Sequence, residues 1–124
     1  MNVPTESSTP IKILVVDDTP ANIDILFQTL EPEGCTLSVA TSGEDALNLV
    51  SEIQPDLILL DIMMPGIDGY ETCRRLKEDE STCNIPVIFL TAKNQTKDIV
   101  IGFSAGGVDY ITKPFRQEEV CARI

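Results

Sequence analysis

Short apolar runs and amphipathic stripes alternate along this chain. Ile11-Lys12-Ile13-Leu14-Val15-Val16 is a β-branched run suited to a strand buried on both faces. Thr19-Pro20 follows, an N-cap residue ahead of a first-turn proline. Ile23, Leu26, Phe27 and Leu30 then recur at helical spacing, and Pro32 and Gly34 close that helix. Thr36 to Ala40 reads as a second strand. Ser42 and Asp45 stand at cap spacing before a stripe of Ala46, Leu49, Val50 and Ile53. Leu57-Ile58-Leu59-Leu60 is a third strand ending at Asp61. The loop Met63-Met64-Pro65-Gly66 leads to Asp68-x-x-Glu71, a capping signature, with Gly69, Cys73 and Leu76 as the inner face of the next helix. Pro86-Val87-Ile88-Phe89-Leu90 is a fourth strand ending at Thr91. A helix near Gln95–Ser104 is interrupted by Gly102, and Gly106-Gly107 breaks the chain. Val108 to Thr112 is a fifth strand, stopped by Lys113-Pro114, and a last helix starts near Arg116.

Five strand–helix units with short connections predict an α/β domain: a parallel five-stranded sheet covered on both faces, a (βα)5 three-layer sandwich. Right-handed crossovers leave few topologies, and strand order 2-1-3-4-5 is the common solution, with ligands at the carboxyl ends of the strands. Residues 1–10, with Pro4, Pro10 and several Ser and Thr, read as a disordered leader, and 11–124 as the domain. No C-cap signal follows Val120, so the last helix reads as cut short, as in a fragment of a longer protein.

Polar residues collect at the predicted ligand edge. Asp17 and Asp18 end the first strand, Asp61 the third, Thr91 the fourth and Lys113 the fifth. In this order the first and third strands are neighbours, about 4.8 Å apart, which brings Asp18 near Asp61. Crowded carboxylates repel and call for a cation. Mg2+ suits them, because it takes one or two carboxylates, keeps waters and completes its shell with phosphate oxygens. A phosphoryl group on Asp61 would meet the metal on one flank and Thr91 and Lys113 on the other. Singly, each residue has an ordinary reading as cap, turn former or solvated lysine. Their placement at one end of one sheet favours the functional reading.

Composition narrows the chemistry. There is no histidine, which excludes Ser-His and Cys-His nucleophile pairs and histidine metal sites. Cys35, Cys73, Cys83 and Cys121 form no CxxC pair or zinc pattern, and read as small hydrophobes in a reducing compartment. A net charge of −11 argues against direct nucleic-acid binding and for cationic partners. Neither a signal peptide nor a membrane-spanning run is visible, so no membrane association and a cytoplasmic location are the expectations.

With these motifs in hand, the chain from about Ile11 to Ile124 strongly resembles the receiver domains of two-component response regulators. The residues that carry the resemblance are Ile-Leu-Val-Val-Asp17-Asp18, Leu-Ile-Leu-Leu-Asp61-Ile-Met-Met-Pro65-Gly-Ile-Asp-Gly69, Ile-Phe-Leu-Thr91-Ala92 and Asp109-Tyr110-Ile-Thr-Lys113-Pro114-Phe115. The resemblance implies a flavodoxin-like fold and a signalling switch. Asp61 would take a phosphoryl group from a sensor histidine kinase or phosphotransfer protein. Asp18, Asp61 and the Met63 carbonyl would bind Mg2+ directly, and Asp17 through water. Lys113 would pair with phosphoryl oxygens, Thr91 would hydrogen-bond to one, and the Ala92 N–H would contact the group. Tyr110 would swing inward as the aromatic switch, and the surface formed by the fourth helix, fifth strand and fifth helix would change its partner. Asp109 and Arg123 on that surface suggest a phosphorylation-linked homodimer. Bulky Met63 would slow self-dephosphorylation.

Three alternatives stand beside this reading. A small-molecule phosphohydrolase would want a proton-bearing residue two after the nucleophile, and Met63 has none to give. A phosphorylation-independent interaction module would not need the acid pair and acceptor kept here. Flavin binding would want a phosphate-cradling loop where Asp17-Asp18 stands. The expectation is therefore a non-enzyme that promotes only its own phosphorylation and dephosphorylation.

Overall fold

The computed structural model describes residues 11–91, 106 and 109–112. Five parallel strands, β1 (Lys12–Val16), β2 (Thr36–Ala40), β3 (Leu57–Asp61), β4 (Val87–Thr91) and β5 (Asp109–Thr112), form one sheet in the order β2-β1-β3-β4-β5. The helices are α1 (Pro20–Leu30), α2 (Gly43–Ile53) and α3 (Gly69–Glu78). The expected leader 1–10, the helix over 95–104 and the helix from 116 lie outside the described residues.

Every residue of β3 and β4 is buried, as continuous apolar runs in a doubly covered sheet require. Side chains alternate between the two faces. Leu14, Val16, Ile58, Leu60, Val87 and Phe89 pack with Ala46 and Val50 of α2 and with Cys73 and Leu76 of α3. Ile13, Val15, Leu59, Ile88, Leu90 and Ile111 pack with Leu26 and Leu30 of α1. α1 therefore covers one face, and α2 with α3 the other.

Several local expectations change. Ile11 and Pro86 fall outside the strands they were read into; Ile11 instead lends its carbonyl to the Thr36 N–H. Pro32 does not end α1. It sits in a 3-10 turn, Glu31–Glu33, after the helix has stopped at Leu30, and Gly34 reverses the chain at φ +86, a conformation that suits glycine. Thr19 is the N-cap of α1, yet its side chain makes no cap bond. The other caps form: Ser42 Oγ accepts from the Asp45 N–H and Asp68 Oδ1 from the Glu71 N–H. Neither acid returns the bond to its cap residue. Asp45 Oδ2 accepts from the Thr41 hydroxyl, and Glu71 is drawn outward to Arg74 and Arg75.

Cys73 lies wholly inside the α2–α3 face, where burial pushes its thiol up to about 11, with Lys77 and Arg74 opposing. The folded chain thus holds this proton more tightly than the unfolded chain. The stability involved is complete below the ordinary thiol range near pH 9 and fades as pH rises toward 11. One pKa unit corresponds to about 1.4 kcal/mol, so a loss of roughly 2 kcal/mol across that window is expected. Urea titrations at both ends of the window should give a smaller difference for Cys73→Ala than for the native chain; equal differences would contradict it.

Candidate phosphoryl-acceptor and metal site

The parallel register brings the acids together. Val16 of β1 pairs with Leu60 of β3 and with Ala40 of β2, so Asp17 and Asp61, one residue further on, emerge side by side at the carboxyl edge. The Asp17 N–H continues the ladder to the Ala40 carbonyl at 3.1 Å, and the Ile62 N–H reaches the Leu90 carbonyl at 3.2 Å. The backbone is therefore tied down on both sides of the acids. Asp17 and Asp61 are 0 % and 2 % exposed, whereas Asp18 faces solvent at the mouth.

Asp17, Asp18 and Asp61 each offer a carboxylate oxygen, and these oxygens lie within 4.8 Å of one another. Asp17 Oδ1 accepts the Thr19 N–H at 2.9 Å, and Asp61 Oδ1 accepts the Met63 N–H at 3.3 Å. Both carboxylates are thus oriented by the turns that leave their strands. This all-oxygen set, two of its members buried, fits a hard divalent cation such as Mg2+, which offsets the mutual repulsion of the acids.

The remaining sequence-based candidates divide into those in place and those not described. Thr91, 4 % exposed, ends β4 one residue beyond Leu90, the partner of Asp61 in the ladder. Tyr110 is half-buried in β5 opposite Phe89, two residues before Thr91 on the same strand. Met63 is 63 % exposed in the loop that follows Asp61. Lys113 and Ala92 lie outside the described residues.

The model of the response regulator receiver domain matches residues 13–124. The chain belongs to the receiver-domain family of response regulators. It is 45 % identical over 113 residues to the DNA-binding dual master transcriptional regulator RpaA of Synechocystis, a match covering 91 % of this chain and 47 % of RpaA. It is 43 % identical over 113 residues to the DNA-binding response regulator MtrA of Mycolicibacterium smegmatis, covering 91 % and 48 %. A crystal structure of a Chloroflexus aurantiacus protein described as a response regulator superposes with a TM-score of 0.89 at 36 % identity, covering 93 % of this chain and 94 % of that one. The receiver chain thus spans about half the length of the curated relatives it matches.

Two residues beside the site were not legible as functional. Glu44 reads in the sequence as an ordinary acid in a helix first turn, yet its carboxylate contacts the loop carrying Met63. Gly69 reads as one member of an inner face, yet it presses on the backbone of Asp61 itself. The glycine in Asp68-Gly69 was the available signal for the second. Nothing local signals the first.

Proposed function

We propose that this receiver domain takes a phosphoryl group onto Asp61 from a histidine kinase or phosphotransfer protein, with Mg2+, and relays the event through Thr91 and Tyr110. The observation that carries the reading is the cluster of Asp17, Asp18 and Asp61 at the carboxyl edge of a sheet whose family is two-component signalling.

An oxygen of the Asp61 carboxylate forms the new O–P bond as the N–P bond of the donor phosphohistidine breaks, and the leaving imidazole nitrogen takes the electron pair. The Met63 N–H, on Asp61 Oδ1, holds the acceptor carboxylate in its plane. Asp18, Asp61 and the Met63 carbonyl would hold Mg2+ directly and Asp17 through water, the last being already fixed by the Thr19 N–H. When bound, the cation neutralises the carboxylates and the charge on the phosphoryl oxygens. The Thr91 hydroxyl donates to a phosphoryl oxygen, Lys113 pairs with another, and the Ala92 N–H contacts the group. Phosphorylation adds charge and strong acceptors, so the pull on Thr91 and Lys113 favours one of two packings around Tyr110. That shift alters the surface around β5 and the segments that flank it. Phosphorylation-linked dimerisation belongs to the same proposal, and sedimentation of the phosphorylated chain tests it.

The domain turns over no substrate beyond its own aspartyl phosphate. RpaA and MtrA are named as DNA-binding regulators; at a net charge of −11 this domain serves as the input to such an output and does not grip DNA or a membrane itself. Among the described residues no helix is long and apolar enough to cross a membrane. A cytoplasmic location agrees with this chemistry.

Incubation with acetyl phosphate, with and without Mg2+, followed by intact mass, tests the reading: one added phosphoryl group is expected, only with the metal. Failure with both acetyl phosphate and a phosphorylated histidine donor would favour an interaction module that works without phosphorylation. Met63, exposed in the loop that follows Asp61, would hinder water approaching an acyl phosphate there. Met63→Asn, which replaces an apolar obstacle with a water-binding amide, is expected to speed phosphoryl loss severalfold once the donor is removed; an unchanged decay rate would count against that role.

A further inference from the structure

Between the Ile62 N–H, which continues the sheet ladder to Leu90, and the Asp68 carbonyl, which starts α3, the loop from β3 to α3 is held by three further hydrogen bonds to its backbone. The Met63 N–H donates to Asp61 Oδ1 at 3.3 Å and the Gly69 N–H to the Ile62 carbonyl at 3.0 Å, both of them local contacts. The third point comes from another element: the Ile67 N–H donates to Glu44 Oε2, in the first turn of α2, at 3.4 Å. Two glycines allow this reach. At Gly43 a Cβ would lie 2.7 Å from Ile67 Cγ1 and collide with Thr72 Oγ1, so its absence lets the start of α2 close on the loop and on α3. At Gly66, which turns at φ +80, a Cβ would lie 3.0 and 3.2 Å from the two Glu44 carboxylate oxygens. The carboxylate therefore rests on the bare face of Gly66 while accepting the next N–H. An acid serving only the α2 dipole would stay in water and touch neither residue.

We propose that Glu44 is a positioning residue for the phosphoryl-transfer site: its carboxylate holds the Gly66-Ile67 turn and thereby sets the Met63 carbonyl at the metal site. The inference rests on the function proposed above and adds to it a residue from α2, a helix that supplies no group to the site. The Glu44 bond is long and exposed, so it biases the loop among conformations and does not lock it.

Glu44 also carries a negative charge that could attract a cation through space, and two variants separate these effects. Glu44→Gln keeps an acceptor oxygen and loses the charge, whereas Glu44→Ala loses both. Mg2+ affinity is read from amide chemical shifts of the 15N-labelled chain, and loop order from hydrogen exchange at the Ile67 N–H without metal. Glu44→Ala is expected to weaken Mg2+ binding about three- to tenfold and to speed Ile67 exchange by a similar factor, with Glu44→Gln within about twofold of the native chain in both. Native affinity in Glu44→Ala overturns the proposal. So does Glu44→Gln binding as weakly as Glu44→Ala, since charge alone would then be responsible. A native chain that binds no Mg2+ overturns the site reading itself, a result distinct from the other two.

Discussion

Asp61→Asn is expected to abolish phosphoryl uptake completely while leaving the domain folded, and more stable when no metal is present. The carboxamide is close in size to the carboxylate and keeps an oxygen for the Met63 N–H. The ladder on either side of it, from Val16–Leu60 to the Ile62 N–H, involves only backbone. What is lost is the nucleophile, since an amide oxygen forms no acyl phosphate here. What is also lost is one of three crowded acids, two of them buried. Like charges held that close oppose folding unless a cation joins them. A gain of about 1 kcal/mol in metal-free urea unfolding is therefore expected, shrinking as Mg2+ is added and the native chain recovers its advantage by ligand linkage. Intact mass after acetyl phosphate gives the first result and paired unfolding curves with and without Mg2+ the second. An adduct of undiminished yield on Asp61→Asn would move the acceptor to another residue. A metal-free loss of stability would mean the acids are not in net repulsion.

Gly69→Ala carries the largest expected cost in stability. Gly69 opens α3, and a Cβ there would meet the Asp61 carbonyl oxygen, with Ile62 Cα at 2.8 Å and the Asp61 carbonyl carbon at 3.0 Å. Each of these is backbone of the strand end that carries the acceptor, so none can rotate aside. The φ of Gly69 lies outside the left-handed region, so the requirement is for space and not for conformation. Alanine would force α3 off β3, stretching the Gly69 N–H bond to Ile62 and disturbing the fit of Thr72, Cys73 and Leu76. Overpacking of this kind costs about 1–3 kcal/mol, and the rigidity of both partners places this site at the upper end. The better helix propensity of alanine offsets at most about 1 kcal/mol. Because the clash falls on Asp61 and Ile62, phosphorylation by acetyl phosphate should slow about tenfold or more even in molecules that remain folded. Unfolding within about 0.5 kcal/mol of the native chain, with normal phosphorylation kinetics, would mean that α3 moves freely, against the packing argument.

The residues themselves stated a great deal. Runs such as Leu57–Leu60 and Val87–Leu90 are short and apolar at every position, a pattern that suits a strand covered on both faces, and both strands are buried throughout. The alternation of these runs with helical stripes led to the parallel sheet, its order and the edge where Asp17, Asp18, Asp61 and Thr91 gather. Capping was legible only in part. Ser42 and Asp68 do accept their N–H bonds, but whether Glu71 turns back to its cap depends on Arg74 and Arg75, which compete for it at 3.0 Å.

By itself, then, the sequence determined, to within a residue or so, which of the described residues become strands and helices, which strand ends carry acids, and the signalling family, because periodicity and short motifs are properties of neighbours along the chain. The tertiary structure alone decided that Asp17 is sealed inside while Asp18 meets solvent, that Gly69 touches the acceptor's own backbone, and that Glu44 reaches over Gly66 to the Met63 loop. These depend on contacts between residues far apart in the chain, such as Glu44 and Ile67. Register and close packing fix such contacts, and no local pattern of residues encodes them.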